Sequence, residues 1–202
     1  DRPEPSQYPL ADEVLAKGVC DASIPDGARD PRIHGWLVYG SNLPTTLPNP
    51  AETYRAIQAL DAVVTIDVLP VEMVGWSDVV LPETTYLERD DDLNVPWYRE
   101  AYIGIRQPAV APLYDSRPGW WIAKELGARL GLADHFPWDT ARDYVDARLA
   151  AAGVEVAAAR RDGVVVMDRP PVYFDEGAPA EFWTDSGKIE MWSPKLAAFG
   201  FD

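Results

Sequence analysis

The sequence has few of the residues on which several common classes of protein depend. Only one of its 202 residues is cysteine, which excludes a disulfide framework within the chain and a metal centre built on several of its cysteines. Basic residues number 18 against 33 acidic ones, and the net charge is −15. This balance excludes nucleic acid as an expected partner, because phosphate binding needs a basic face. No apolar run approaches the roughly 18 residues of a membrane span, so we expect no direct membrane insertion.

The chain is long enough to form a core without covalent or metal support. A protein of about 200 residues buries roughly 70% of the surface that its unfolded chain exposes. Its length predicts one domain or slightly more. The first residue is Asp, and the opening segment lacks the pattern of a signal peptide. We therefore expect a piece of a longer protein, whose first residues do not indicate its compartment.

Three short apolar runs predict the strands of a parallel sheet. They lie at residues 36–39, 62–66 and 78–81. None of them alternates polar with apolar residues, which is typical of strands that are covered on both faces. After the first run, Asn49 as cap, Pro50 at the first helical position and Glu52 predict the start of a helix. This order of elements indicates an α/β fold with a right-handed parallel unit.

Ligands bind beyond the carboxyl ends of the strands in such sheets. The loops at residues 40–42 and 67–70 are predicted to lie there. The first loop continues as Gly-Ser-Asn-Leu-Pro, which is not the Gly-x-Gly-x-x-Gly turn of an ordinary NAD site. The residues alone therefore predict a nucleotide-binding-like α/β half-domain without catalytic residues.

The later part of the chain predicts two more helices and a short β-rich C-terminal tail. One helix begins at Pro118 and stops at Gly131, and another runs from its cap, Thr140, to residue 152. One further strand is expected at residues 107–111. The strands of the tail are expected at residues 164–167, 172–174 and 188–192.

Several patterns that resemble chemical motifs favour structural roles. The Ser-Gly-Lys segment at 186–188 lacks the upstream glycine and the following helix of a phosphate loop, so a turn is favoured. The acidic run at 90–92 fails the EF-hand spacing and is more typical of a solvated loop than of a cation site. His34 and His135 lack metal-ligand spacing, and Cys20 lies among acidic residues that do not stabilise a thiolate. We therefore predict no catalytic residue and no metal ligand in this chain.

Several sequence blocks occur in an order that resembles one family. The blocks are VYGSNLP at 38–44, VVTIDVLPVE at 63–72, SDVVLP at 77–82, ETTYLER at 83–89, RQP at 106–108, RPGWWI at 117–122 and TDSGKIE at 184–190. Together they resemble the catalytic subunits of molybdopterin-dependent oxidoreductases of the dimethyl sulfoxide reductase family. Within that family the chain is most similar to the thiosulfate and polysulfide reductase branch.

The resemblance implies a Rossmann-like parallel sheet half-domain with flanking helices over residues 35–132. In the family this region binds the nucleotide end of one of two molybdopterin guanine dinucleotides. The resemblance assigns Asn42 to the loop that meets the cofactor, and Ile66 and Asp67 to the strand end near the guanosine. It assigns Arg89 to a basic position that is suited to pairing with pyrophosphate. A purely structural role stays open for Asn42, which is also a good turn residue.

The family also implies what lies outside this region. Residues 1–34 are rich in Pro, Asp and Gly, so their composition predicts an irregular lead-in with one short helical pattern at residues 11–17. Residues 133–202 are expected to be a helix plus a β-rich segment that leads to a C-terminal domain absent from this chain. The implied cofactors are molybdenum bis(molybdopterin guanine dinucleotide) and a 4Fe-4S cluster whose ligands are absent from this chain. Many relatives have Asp where this chain has Gly119, so one guanine contact of the family is not expected here.

The resemblance further implies partners and a reaction. The partners are the missing remainder of the catalytic subunit, an iron–sulfur electron-transfer subunit and a membrane anchor subunit, in a periplasmic or membrane-associated complex. The reaction is two-electron redox of a sulfur compound at molybdenum, with this chain alone inactive. Sulfite, tetrathionate or an arsenic oxyanion are alternative substrates in the family. A stand-alone nucleotide-binding module, or a structural subunit that assembles with a complementary split chain, are alternatives of other classes.

Overall fold

The computed structural model describes residues 16–25, 31–95, 101–168 and 182–201. In chain order, its elements are α1 Ala16–Ser23, β1 Gly35–Tyr39, α2 Leu43–Thr46, α3 Pro50–Ala59, β2 Ala62–Asp67, a 3-10 helix Glu72–Trp76, β3 Val79–Pro82, β4 Tyr102–Gly104, α4 Gly119–Arg129, a 3-10 helix Ala133–His135, α5 Ala141–Ala151, α6 Val156–Asp162, β5 Val164–Val166 and α7 Pro194–Ala198. None of the helices in this part of the chain has the length and apolar character that a membrane span requires.

The first three strands form a parallel sheet in the order β1-β2-β3. Each of the three predicted strands is present, with its ends within one residue of the prediction. The predicted α/β fold class is therefore confirmed. The helix α3 also begins at Pro50 as predicted, but Asn49 adopts a left-handed conformation, with φ of 59°, and its side chain makes no capping hydrogen bond. Asn49 is therefore the cap residue of α3 as predicted, but its side chain does not supply the capping hydrogen bond.

The chain divides into two compact units. The first contains residues 1–64, 71–79 and 174–202, and the second contains residues 65–70 and 80–173. Each unit has its own apolar core within the described residues, which is the physical basis of its compactness.

The core of the first unit packs α1 and α3 against one face of β1. Its buried members are Cys20, Trp36, Val38, Ala56, Ile57, Val63 and Met73. Trp36 also donates its indole N–H to the Ser23 hydroxyl at 3.0 Å, so its one polar atom is satisfied in the core. Leu37 and Tyr39 point to the other face of β1, where both are more than half exposed. The expectation that this strand is covered on both faces is therefore not met in this chain.

The core of the second unit joins a small antiparallel sheet to two helices. β4 pairs with β5 in a register that places Ile103 opposite Val165. The buried side chains of this core are Ile103, Val145, Leu149 and Ala159. Val145 and Leu149 lie four residues apart on α5, so they share the helix face that is turned toward β4 and α6.

The two predicted later helices are confirmed as α4 and α5. Gly131 lies just beyond α4 with φ of +76°, a conformation that glycine adopts without a steric penalty. Thr140 begins α5 with a complete capping box. Its hydroxyl oxygen accepts the Asp143 N–H at 3.1 Å, and the Asp143 carboxylate accepts the Thr140 N–H at 3.0 Å. The sequence pattern thus predicted both the helix and its start.

Other predicted elements differ from the structure. Residues 107–111 form no strand, because Pro108 lacks the N–H that pairing with a neighbouring strand requires. The side-chain amide of Gln107 donates to the backbone carbonyl of Arg160 at 2.7 Å. Residues 188–192 are also irregular, whereas the strand predicted at 164–167 is present as β5. The strand predicted at 172–174 lies outside the described residues. The helices α2 and α6 were not predicted from the sequence.

Candidate functional site

The loop after β1 is held by the side chain of Asn42. Gly40 begins the turn with φ of +57°, and the space where its Cβ would lie is open. The Asn42 Oδ1 accepts the Met73 N–H at 3.2 Å, and its Nδ2 donates to the Glu72 carboxylate. The pKa of Glu72 lies below its usual range because its own backbone N–H and the Asn42 amide donate to its carboxylate. Both ends of the Asn42 amide are therefore used to tie this loop to the following 3-10 helix.

The end of β2 presents a carboxylate beside a buried aliphatic residue. Ile66 is 4% exposed, so its side chain belongs to the interior and only its main chain is available to a ligand. Asp67 is half-buried, and its Oδ1 accepts the Leu69 N–H at 3.0 Å in a tight turn. Its Oδ2 accepts no hydrogen bond from the described residues. The Asp67 carbonyl accepts the Glu83 N–H at 3.0 Å, which joins the ends of β2 and β3.

Glu83 follows β3 directly and organises the loop beyond it. Its buried Oε1 contacts the Arg89 Nη1 at 2.6 Å and accepts the Gly119 N–H at 3.1 Å at the first residue of α4. Arg89 also donates from Nε to Asp91 at 2.8 Å and from Nη1 to the Thr84 carbonyl at 2.7 Å. The guanidinium charge of Arg89 is therefore shared by two carboxylates of the same loop.

A second buried glutamate fixes the conformation of this segment. The Glu88 Oε2 accepts the N–H and the hydroxyl of Thr85 at 2.7 and 2.9 Å, and its Oε1 accepts the Leu113 N–H at 2.8 Å. The backbone N–H groups of Thr85 and Leu113, followed by the Thr85 hydroxyl, lower the pKa of Glu88. Sequence reasoning missed Glu83 and Glu88 as site-forming residues. The Thr-x-x-Glu spacing of the capping box, present here at Thr85 and Glu88, is the signal that would have indicated the second of them.

Three of the four residues that the sequence predicts for the site lie in the same unit. Ile66, Asp67 and Arg89 belong to the second unit, where Glu83 makes hydrogen-bonded contacts with Asp67 and Arg89. Asn42 belongs to the first unit and contacts Glu72 and Met73 there. Of the four predicted site residues, Asp67 is the one with a side-chain oxygen that accepts no hydrogen bond from the described residues.

The acidic run at 90–92 is an ion-pair cluster. Asp90 contacts Arg160 at 2.9 Å, Asp91 contacts Arg89 at 2.8 Å, and Asp92 contacts Arg148. Within the described part of the chain, no group of three His, Cys, Asp or Glu side chains is arranged to hold a metal ion. The run is a loop as predicted, and Asp92 is exposed, but Asp90 and Asp91 are partly buried and each of the three carboxylates pairs with an arginine.

The two other motifs have structural roles in the described residues. At 186–188, Gly187 has φ of +65° and the Lys188 N–H contacts the Ser186 hydroxyl at 3.3 Å, so the predicted turn is confirmed. Cys20 is buried in the core of the first unit, and this burial raises the pKa of its thiol. A raised thiol pKa is typical of an inert cysteine.

Comparisons with known proteins agree with the resemblance. The profile of the family described as molybdopterin oxidoreductase matches residues 14–129, which is more than half of the chain. The thiosulfate reductase molybdopterin-containing subunit PhsA of Salmonella typhimurium is 31% identical over 212 aligned residues, covering 91% of this chain and 27% of that protein. The trimethylamine-N-oxide reductase of Pasteurella multocida is 30% identical, over 73% of this chain and 20% of that protein.

A solved structure shares the fold. Acetylene hydratase from Pelobacter acetylenicus matches with a TM-score of 0.73 at 24% identity, over 95% of this chain and 26% of that chain. At this identity the likeness establishes the fold alone. The chain spans between about a fifth and a quarter of the length of the relatives it matches.

Proposed function

The chain belongs to the molybdopterin oxidoreductase family, and we propose that it supplies the nucleotide-binding part of a catalytic subunit that oxidises or reduces a sulfur compound. The observation that carries the proposal is the Asp67 carboxylate at the carboxyl end of a central parallel strand, with one oxygen that no described residue uses. The 31% identity to a thiosulfate reductase subunit, over 91% of this chain, supports the sulfur compound as substrate. Other relatives that match the same region carry the names of other substrates, so we propose that residues outside this chain also contribute to substrate choice.

The donor and acceptor chemistry of the strand ends fits a guanine nucleotide. The Watson–Crick edge of guanine presents N–H donors, and a carboxylate accepts such donors in a charge-assisted pair. Asp67 is half-buried, so a hydrogen bond to its carboxylate is less weakened by solvent than one at a fully exposed site. When bound, molybdenum bis(molybdopterin guanine dinucleotide) supplies the two-electron chemistry.

We propose different roles for the four site residues. Asp67 contacts the guanine directly, and Ile66 contributes only its main chain beside it. Asn42 shapes the loop after β1, because both ends of its amide are held within the protein. Arg89 positions the loop after β3, because Glu83 and Asp91 already neutralise its charge. A pyrophosphate contact from Arg89 is disfavoured, since the two carboxylates beside it would repel the phosphates.

The rest of the proposal follows from the length of the relatives. The chain supplies about a quarter of a catalytic subunit of this kind, so the remainder of that subunit is its first partner. We propose that the remainder holds the 4Fe-4S ligands and the molybdenum ligand, and that an iron–sulfur subunit and a membrane anchor subunit deliver or accept electrons. A periplasmic or membrane-associated complex is the proposed location. By this proposal the 202 residues alone have no redox activity.

The test replaces one carboxylate oxygen by an amide nitrogen. Asp67→Asn retains an Oδ1 that can accept the Leu69 N–H. It replaces the Oδ2 acceptor by an NH2 group, a donor that cannot pair with the N–H donors of guanine. Guanine nucleotide and molybdenum are measured in the full-length protein purified from its native locus. We expect Asp67→Asn to raise the dissociation constant for the guanine nucleotide roughly tenfold or more, the effect of about 1.4 kcal/mol or more of lost binding energy, and so to lower the bound guanine per protein.

The matched control is Asp61→Asn. Asp61 is an exposed carboxylate that contacts His34 at 3.2 Å, and we expect its replacement to leave guanine and molybdenum unchanged. Equal guanine content in Asp67→Asn and the wild type would contradict the assigned contact. A folded wild-type protein that holds guanine nucleotide without molybdenum would favour the stand-alone nucleotide-binding module.

A further inference from the structure

The outer edge of β5 is open in the second unit. In the sheet that β4 and β5 form, no residue of the described ranges pairs with β5 on the side away from β4. The Ile105 N–H donates to the Gly163 carbonyl at 2.9 Å, so this carbonyl faces β4. Hydrogen-bonding groups alternate between the two edges of a strand, and those of Val164 and Val166 therefore face the open edge.

A groove of about 530 Å³ follows this edge. Residues 164–168 line one side of it, and residues of α6 and of the loop before α6 line the other. Val165 packs against the core of the second unit, whereas Val164 and Val166 are 49% and 73% exposed. Because residues from both faces of β5 line the groove, it runs along the edge of the strand rather than over one of its faces.

The groove carries negative charge. Its lining includes the exposed carboxylates of Glu155, Asp162 and Asp168, and the described residues that line it include no lysine or arginine. Asp162 pairs with Arg161 at 2.8 Å, but both side chains are more than half exposed, and such pairs contribute little. The carboxylates therefore exceed the positive charge beside them, and an occupant that complements the groove is basic.

The sequence of β5 does not protect its edge. Proteins usually block an open edge with a lysine, a proline or a bulge, but β5 is Val-Val-Val in continuous register with β4. An edge of β-branched residues is a template for pairing with another strand. A second copy of this chain is disfavoured as the occupant, because pairing of β5 with itself in either direction brings acidic strand ends together at Asp162 and Asp168.

We propose that the open edge of β5 binds an extended segment of a partner polypeptide, which adds to the sheet as a third strand. The segment has β-branched residues along the edge and lysine or arginine at its ends, opposite the carboxylates of the groove. Main-chain hydrogen bonds to Val164 and Val166 supply the affinity, and charge supplies the selectivity. The proposal does not rest on the nucleotide-binding role of Asp67.

The probe that tests this is a fluorescein-labelled heptapeptide, Lys-Val-Thr-Val-Thr-Val-Lys. Its binding to the full-length protein is followed by fluorescence anisotropy at about 0.05 M NaCl, where charges are weakly screened. We expect saturable binding, and the same peptide with glutamate at both ends should bind at least about tenfold more weakly. The full-length protein is used because a groove that is already filled by the same subunit then gives no binding.

Two sets of variants separate main-chain pairing from charge. Val166→Pro removes the N–H that faces the open edge but no hydrogen bond to β4, so we expect at least about tenfold weaker binding without a loss of Tm. Val166→Thr retains that N–H and should bind nearly as well as the wild type. Asp162→Lys with Asp168→Lys should reverse the preference between the two peptides. The control, Asp115→Lys with Asp185→Lys, makes the same change in net charge at exposed positions outside the groove and should leave the preference unchanged.

Each outcome decides the inference. Binding that is lost in Val166→Pro, kept in Val166→Thr and reversed in its charge preference by the groove variant supports it. An absence of saturable binding overturns it, as do equal effects of the two Val166 variants or a control pair that shifts the preference as much as the groove pair. Self-association of the full-length protein that Val166→Pro abolishes would assign the edge to a second copy and also overturns it. No readout depends on guanine or molybdenum, so a failure here is distinguishable from a failure of the nucleotide-binding proposal.

Discussion

Two glutamates hold the loops at the carboxyl end of the sheet by accepting hydrogen bonds from the backbone. Glu83 joins Arg89 to the first residue of α4, and Glu88 joins Thr85 to Leu113. Hydrogen bonds to an ionised acceptor are roughly twice as strong as those between neutral groups. These residues therefore fix the loops that surround the candidate site.

The acid sensitivity of the Glu88 contact follows from the direction of its pKa shift. A carboxyl group whose pKa is lower in the folded state stabilises the protein above the unfolded value, near 4.3, and this contribution is lost as pH falls through the folded pKa. We expect Glu88→Gln to lower the Tm at pH 7, because the charged acceptor is lost. The difference in Tm between wild type and variant should shrink as pH falls below about 4.

The control for this prediction is Glu125→Gln. Glu125 lies on the exposed surface of α4 and pairs with Arg129 at 2.6 Å, a contact of the kind that contributes little. A smaller loss of Tm is expected for this control at pH 7. A Tm difference for Glu88→Gln that stays constant from pH 7 to pH 3 would contradict the assigned role of the ionised carboxylate.

At the residue scale, the sequence predicted Asp67 for the site but not the side chains that organise the loops around it. The strand pattern predicted a ligand-binding loop at residues 67–70, and the family resemblance assigned Asp67 within it. The partners of Arg89 could not be predicted in the same way. The sequence shows a basic residue amid acidic ones, but only the folded loop determines that Glu83 and Asp91 both reach its guanidinium.

At the scale of elements, arginines from two helices bind the acidic run that follows the site loop. Asp90 pairs with Arg160 of α6 at 2.9 Å, and Arg160 also pairs with Asp146 of α5 at 2.6 Å. The Asp90 and Arg160 side chains are 14% and 12% exposed, so this pair is largely shielded from solvent. The run thus fastens the loop beyond β3 to the helical core of the second unit.

Removal of Arg160 should therefore be costly, whereas removal of its neighbour should not. Arg160→Met leaves the Asp90 carboxylate without its closest partner in a poorly solvated place, and we expect a loss of about 3 kcal/mol in the free energy of unfolding. Arg161→Met removes an exposed pair with Asp162, for which about 0–1 kcal/mol is expected. Urea denaturation of the two variants measures the difference. Equal losses would show that the acidic run does not fasten the loop.

Elements with strong local signals were predicted, and elements fixed by tertiary contacts were not. The capping box of Thr140 and Asp143 marks the start of α5, and the glycine Gly131 marks the end of α4. Each signal lies within four residues of the helix end that it marks. The segment 107–111 has the apolar character of a strand, but Pro108 removes a ladder donor and no strand pairs with it. α6 was missed because its sequence, VAAARRD, is short and has no apolar periodicity.

At the scale of the whole molecule, the order of sequence blocks identified the family where composition alone did not. Composition predicted that neither nucleic acid nor the membrane is a direct partner, and the strand pattern predicted the α/β sheet. The exposure of Leu37 on β1 could not be predicted from the sequence, because an apolar run does not tell which of its sides is covered. Parallel strands normally have both faces covered, so this exposure agrees with the proposal that the chain is part of a larger subunit.

The net charge of −15 gives a last prediction for the chain as a whole. Unbalanced like charges repel over a range set by the Debye length, which is about 30 Å at 0.01 M salt and about 10 Å at 0.1 M. Ion pairs such as that of Asp90 and Arg160 act over about 3 Å, and their side chains are largely shielded from solvent. Added salt therefore weakens the long-range repulsion more than it weakens the attraction within these pairs. We therefore expect the urea midpoint to rise as NaCl increases from 0.01 to 0.2 M.

The matched variant carries Asp115→Lys and Asp185→Lys, two substitutions at exposed positions that each make the net charge more positive by two. Its urea midpoint should exceed that of the wild type at 0.01 M NaCl and should depend less on salt, because less repulsion remains to be screened. Urea is the denaturant of choice here, since guanidinium chloride itself screens charge. A wild-type urea midpoint that falls as salt is added would contradict this prediction. It would show that attraction within the ion pairs around residues 90–92 contributes more to the free energy of unfolding than the repulsion among the unbalanced charges.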